Sequence, residues 1–203
     1  MPRLMSKRPT QDPKAAADLV WQAYRQADLE QMTALAARAI EAHPQHGGCW
    51  FAYGCVHERL GNLVTADKAF AAAHRAKKDP VGLPCRVSWA RFERAVEAGK
   101  DRLPAPLRTA LEEVTLVLAD YAEPILLEDH EDAELLGLFS GTPKSEVESG
   151  GNLSPMIHIF RRAHEHSSSS MKEFDAEVAT TLVHEFGHYL GYDEDDLERL
   201  GLG

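Results

Sequence analysis

Apolar positions recur at helical spacing through the first hundred residues, and they do so in two similar stretches. "DLVWQAYRQADLEQMTALAARAIEAHP" (Asp18 to Pro44) and "CWFAYGCVHERLGNLVTADKAFAAAHRAKKDP" (Cys49 to Pro80) align at an offset of 34 residues, so that Ala27 meets Gly61, Leu29 meets Leu63 and Ala39 meets Ala73. Each stretch predicts two antiparallel helices joined by a tight turn, at Ala27-Asp28 in the first and at Gly61 in the second. In the second, Trp50, Gly54, Ala66, Phe70 and Ala73 place large residues against small ones, which lets paired helices approach and fills the gap between them. A further stripe, Val87, Trp89, Phe92 and Val96, runs through Cys85 to Gly99 and predicts a helix that caps the second pair.

Beyond Gly99 the pattern changes. "PLRTALEEV" opens as a short helix, and "VTLVLAD" (Val114 to Asp120) is dense enough in β-branched and leucine residues for a buried strand. "ELLGLFSGTP" and "PMIHIFRRA" predict two more strands, and "HEHSSSS" (His164 to Ser170) reads as a polar linker with exposed histidines. An acidic loop, "EPILLEDHEDAE", and a Gly/Ser-rich one, "SEVESGGN", lie between the strands. One long helix follows, from about Lys172 to Leu190, with Phe174, Val178, Leu182, Phe186 and Leu190 on its apolar face. The expected fold class is α+β: a flexible tail at 1–13, helical repeats over 14–80, and a small mixed-sheet domain over 81–203 whose first part, 81–99, is the connecting helix.

Composition adds two constraints. The 44% hydrophobic and 27% charged content is that of a soluble globular chain, and no apolar run is long enough to span a bilayer, so a cytoplasmic address without membrane contact is expected. Residues 1–100 carry 15 Lys+Arg against 10 Asp+Glu, whereas residues 101–203 carry 7 against 22, and the acidity of the second half argues against nucleic acid as its ligand. Cys49, Cys55 and Cys85 form no CxxC pair and are read as reduced thiols.

The chemistry concentrates in the last helix. In "TLVHEFGHYLGYDEDD", His184 and His188 are one helical turn apart and share a face with Glu177 and Thr181, while Glu185 projects beside them. Two imidazoles at this spacing can grip one Zn²⁺, and the adjacent carboxylate suits a general base working on an activated water. Gly191, three residues past the second histidine, can take the left-handed conformation that ends the helix and turns the chain back. No histidine follows His188, and a carboxylate oxygen is an acceptable zinc ligand, so Glu194 is the first choice for the third protein ligand, with Asp193 and Asp196 behind it. Tyr189 and Tyr192 are read as packing residues, and His158 as facing either the site or the core.

Two resemblances follow from these stretches. The 34-residue period with small residues at fixed places resembles the tetratricopeptide repeat. From about Phe92 onward, "RFERAVEAGKDRLPAPLRTALEEVTLVLAD", "LLGLFSGTP", "MIHIFRR" and "VATTLVHEFGHYLGYDEDDLERLG" resemble the minimal zincin family of zinc metallopeptidases. That resemblance implies a zincin-like domain with a C-terminal HExxH helix, His184 and His188 as metal ligands, Glu185 as catalytic base and a downstream acidic residue completing the site. The function expected is a zinc-dependent peptidase acting on a peptide or protein substrate, with the repeats recruiting a protein partner. The alternative is a non-catalytic adaptor in which the repeats bind partners and the zincin fold serves as a platform.

Overall fold

A computed structural model describes residues 11–128, 130, 133–149 and 152–200. Most of the tail expected at 1–13 therefore lies outside the described residues, as do Asp129, Glu131 and Asp132 of the acidic loop and Gly150-Gly151 of the Gly/Ser-rich one. The protein is α+β and divides into two compact units, Met1–Leu83 with Glu123–Ala133, and Pro84–Ala122 with Glu134–Gly203.

The first unit is built from α1 (Pro13–Arg25), α2 (Leu29–Ala42), α3 (Gly47–Arg59) and α4 (Leu63–His74). Asp12 and Asp28 cap the first two helices by accepting from the amides of Lys14 and Gln31, at 3.0 and 2.9 Å. The turns sit where the sequence puts them: Ala27 has φ +48° and Gly61 φ +76°, so both stretches bend through the same left-handed conformation, although only the second has a glycine to do it. Val20, Tyr24, Met32, Cys55 and Phe70 are fully buried among these helices. The acidic loop contributes a 3-10 turn, Pro124–Leu127, whose Leu127 is buried and whose carbonyl accepts from the Arg25 guanidinium at 3.1 Å; the His130 carbonyl accepts from the same group.

The second unit comprises α5 (Trp89–Arg102), α6 (Ala105–Leu111), β1 (Thr115–Ala119), β2 (Gly137–Ser140), β3 (Met156–Phe160), α7 (Arg161–Ser167), α8 (Met171–Leu190) and α9 (Glu194–Leu200). The sheet order is β1-β3-β2, with β1 parallel and β2 antiparallel to β3, which leaves β2 at an edge. Ile157 and Ile159 of β3 enter a core shared with Phe92, Phe174, Leu182 and Phe186. Among the described residues no helix is long and apolar enough to cross a membrane.

Two local readings are corrected here. The stripe through Trp89, Phe92 and Val96 belongs to α5, which packs on α8: Phe92 meets Phe174 edge to face at 6.2 Å, and Gly99 backs onto Ala179. This helix begins only at Trp89, capped by Ser88, because Cys85–Val87 runs extended and hydrogen bonds to Glu165. The supposed linker at His164 is helix α7, with His164 and Glu165 fully buried and the His166 side chain nearly so. Polar composition misleads there because most of the partners are remote in sequence. Glu165 accepts from the Val87 amide at 2.8 Å and from Arg162 and Arg86, and His166 meets Glu134 at 2.8 Å.

Candidate metal centre

Helix α8 presents the two histidines because its apolar side is committed to the core, leaving the face at Thr181, His184 and His188 turned elsewhere. Ser170 caps its start by accepting from the Glu173 amide, and Gly191 ends it at φ +98°. The Nε2 atoms of His184 and His188 lie 3.1 Å apart. His188 Nδ1 is 3.0 Å from the Tyr192 carbonyl, just past the helix end. A carbonyl only accepts, so Nδ1 carries a proton, and Nε2 is the ring nitrogen turned towards His184.

After Gly191 the chain reverses and starts α9, whose first turn carries Glu194, Asp195 and Asp196. Its carboxylates divide by role. Asp193 Oδ1 accepts from the Asp196 amide at 2.8 Å and Asp196 Oδ2 lies 3.4 Å from the Asp193 amide, a reciprocal cap; Asp196 also pairs with Arg199. Glu194 instead points back, with Oε1 at 3.2 Å from His188 Nε2 and Oε2 at 3.7 Å from His184 Nε2. What docks α9 is Leu197, fully buried against Gly187 in the middle of the HExxH segment. A Cβ on Gly187 would stand 2.4 Å from Leu197 Cδ2, so a side chain at 187 would displace the leucine that docks α9.

Glu185 is 8% exposed, and its Oε2 accepts from the Phe139 amide on β2 at 2.7 Å. Burial raises its carboxyl above the ordinary carboxylate range, opposed by the charge of His184 and by the Phe139 hydrogen bond. Beneath it, Thr181 Oγ1 is 3.0 Å from Nε2 of His164, whose Nδ1 faces the Phe160 carbonyl at 2.8 Å. Burial lowers the His164 pKa to about 4, so this ring is neutral and serves as a brace.

The other candidates fall away from the cluster. Glu177 accepts from Ser167 and Ser168, the Tyr189 hydroxyl donates to Glu113 at 2.6 Å, and His158 is buried on β3 at 3.4 Å from Ser140 Oγ. Four contributors were missed in the sequence: the Phe139 amide, the Tyr192 carbonyl, Gly187 and Leu197. For the last, the signal was present, since an Asp193-x-x-Asp196 cap ahead of Leu197 and Leu200 marks a helix start.

His184, His188 and Glu194 thus bring three ligand atoms within 4.8 Å of one another. Ligand atoms of a tetrahedral centre with bonds of about 2.0–2.1 Å stand roughly 3.3 Å apart, and two imidazoles with a carboxylate are a donor set that zinc accepts. Residues 111–203 match the family described as Zincin-like metallopeptidase. No curated protein matches the chain. The match makes residues 111–203 similar to that family.

Proposed function

We propose that residues 81–203 act as a zinc-dependent peptidase, holding the ion on His184, His188 and Glu194 with Glu185 as general base, and that residues 14–80 form a tetratricopeptide-like module that recruits a protein partner or substrate. The observation that carries this reading is the convergence of three ligand atoms: two imidazole Nε2 atoms at 3.1 Å and a carboxylate at 3.2 and 3.7 Å from them, a donor set and spacing that suit a zinc ion. Bound there, zinc supplies the Lewis acidity that activates water and polarises a peptide carbonyl.

This chain's own residues do the rest. Glu185 takes the proton from the attacking water and delivers it to the leaving amine, so that water is added across the peptide bond to give a carboxylic acid and an amine. A carboxyl raised by burial serves both halves of that transfer better than a solvated one. Tyr192 orients His188 through Nδ1, and the β2 edge offers outward backbone groups at Gly137 for an extended substrate. For the repeat module, the support is the 34-residue offset together with the shared left-handed turns at Ala27 and Gly61.

The test pairs zinc content with turnover of a peptide library by wild type and Glu185→Gln. The proposal expects one zinc per chain in both and hydrolysis that falls by about a hundredfold or more in the variant. Stoichiometric zinc with no cleavage by wild type would instead favour the platform reading. Removal of residues 1–80 is expected to alter substrate choice; unchanged choice and folding would refute the recruiting role.

A further inference from the structure

A general base has to be aimed as well as desolvated. In β2, Leu136 accepts from the Phe160 amide and Leu138 stands opposite His158, so the backbone groups of 136, 138 and 140 face β3. Strand geometry then turns those of Gly137 and Phe139 away from the ladder. The outward Phe139 amide is the one that donates to Glu185 Oε2 at 2.7 Å. Gly137 is what brings the strand close enough: a Cβ there would stand 2.6 Å from Thr181 Cγ2, 2.9 Å from Glu185 Cγ and 3.1 Å from Glu185 Oε1. The Thr181 rotamer that offers this methyl is held by the bond between its hydroxyl and His164.

We infer that the main-chain amide of Phe139, seated on α8 by Gly137, is the positioning group for the Glu185 carboxylate; this rests on the reading of Glu185 as the base. Tying Oε2 to the strand leaves Oε1 as the atom that exchanges the proton. It also withdraws one donor from the edge, so that an extended substrate pairing on β2 does so through Gly137 and the Phe139 carbonyl.

Proline at 139 removes this donor without taking a bond from the ladder, because the amide faces outward on an edge strand. Phe139→Pro is therefore compared with Phe139→Ala, which loses the same ring but keeps the amide. Expected is equal zinc uptake, with kcat of the proline variant about tenfold or more below that of the alanine variant and KM within about twofold. Equal kcat values overturn the inference, and so does a raised KM with kcat unchanged, which would assign the amide to substrate pairing.

A second measurement needs neither turnover nor a folded proline variant. Hydrogen exchange at the Phe139 amide, followed by NMR in metal-free and zinc-loaded full-length protein, is expected to be about tenfold slower in wild type than in Glu185→Ala. Equal exchange overturns the inference whatever the cleavage assay gives. A protected amide in a protein that cleaves nothing upholds the seat and sinks the peptidase reading instead.

Discussion

Cutting Leu197 back to alanine removes what holds Glu194 over the imidazoles without touching any of the proposed ligands. Leu197 is fully buried, it is the buried residue of α9, and its Cδ2 lies against Gly187 of α8. A seven-residue helix has no stability of its own, so the cost of truncation falls on the docking of α9 rather than on the fold as a whole. A buried leucine cut to alanine costs about 2–5 kcal/mol, and a site under a short helix that can partly collapse belongs near the lower value, ~2 kcal/mol. Set against zinc binding, that weakens affinity by up to about thirtyfold. Competition with a chromophoric chelator measures it, with Glu194→Ala as the reference for complete loss of the carboxylate. Wild-type affinity in Leu197→Ala alongside weakened binding in Glu194→Ala would refute the docking argument. Unchanged affinity in both would remove Glu194 from the site.

Three further outcomes are expected. Gly137→Ala places a methyl inside contact distance of Thr181 and Glu185 and should cost about 1–3 kcal/mol in urea unfolding of the metal-free protein; an unchanged midpoint would contradict the close approach of β2 to α8. Asp193→Ala removes the α9 cap, worth about 1 kcal/mol, and should weaken zinc binding about fivefold, whereas unchanged affinity would mean that the cap does not hold Glu194. His164 is depressed from 6.5 to about 4, so between those values the unfolded chain binds a proton that the folded one refuses. Its share of stability is therefore complete above about pH 6.5 and falls by about 3 kcal/mol as pH drops to 4. His164→Gln should flatten the unfolding free energy across that window relative to wild type, and parallel curves would contradict the buried neutral ring.

What could be read in the sequence followed period, and what could not followed partnership. The helices of the first unit and α8 announce themselves because their apolar residues repeat at helical spacing, and the HExxH pair inherits its geometry from that period. Residues 164–166 carry no such signal. Their burial is made possible by Arg86, Val87, Arg162 and Glu134, and no local pattern connects residues 165 and 86. The α5 stripe was visible, but a stripe says only that something covers it, and nothing near it in the sequence points to α8, some eighty residues on.

The third carboxylate shows why composition was a poor guide at the site itself. "DEDD" offers four chemically similar side chains, and a search by residue type can only rank them. The backbone separates them: once Asp193 is committed to the cap and Asp196 returns the favour, the first turn of α9 has one orientation, and in that orientation Glu194 meets the histidines. The orientation in turn depends on a glycine between the two histidines being small enough for Leu197 to close over it. The site is therefore specified as much by a missing side chain at Gly187 as by the imidazoles that flank it. The same holds at Gly137, where a missing side chain lets the edge strand reach Glu185. In both places the chemistry-bearing residue is legible alone, but its aim is set by a backbone approach that only a glycine permits.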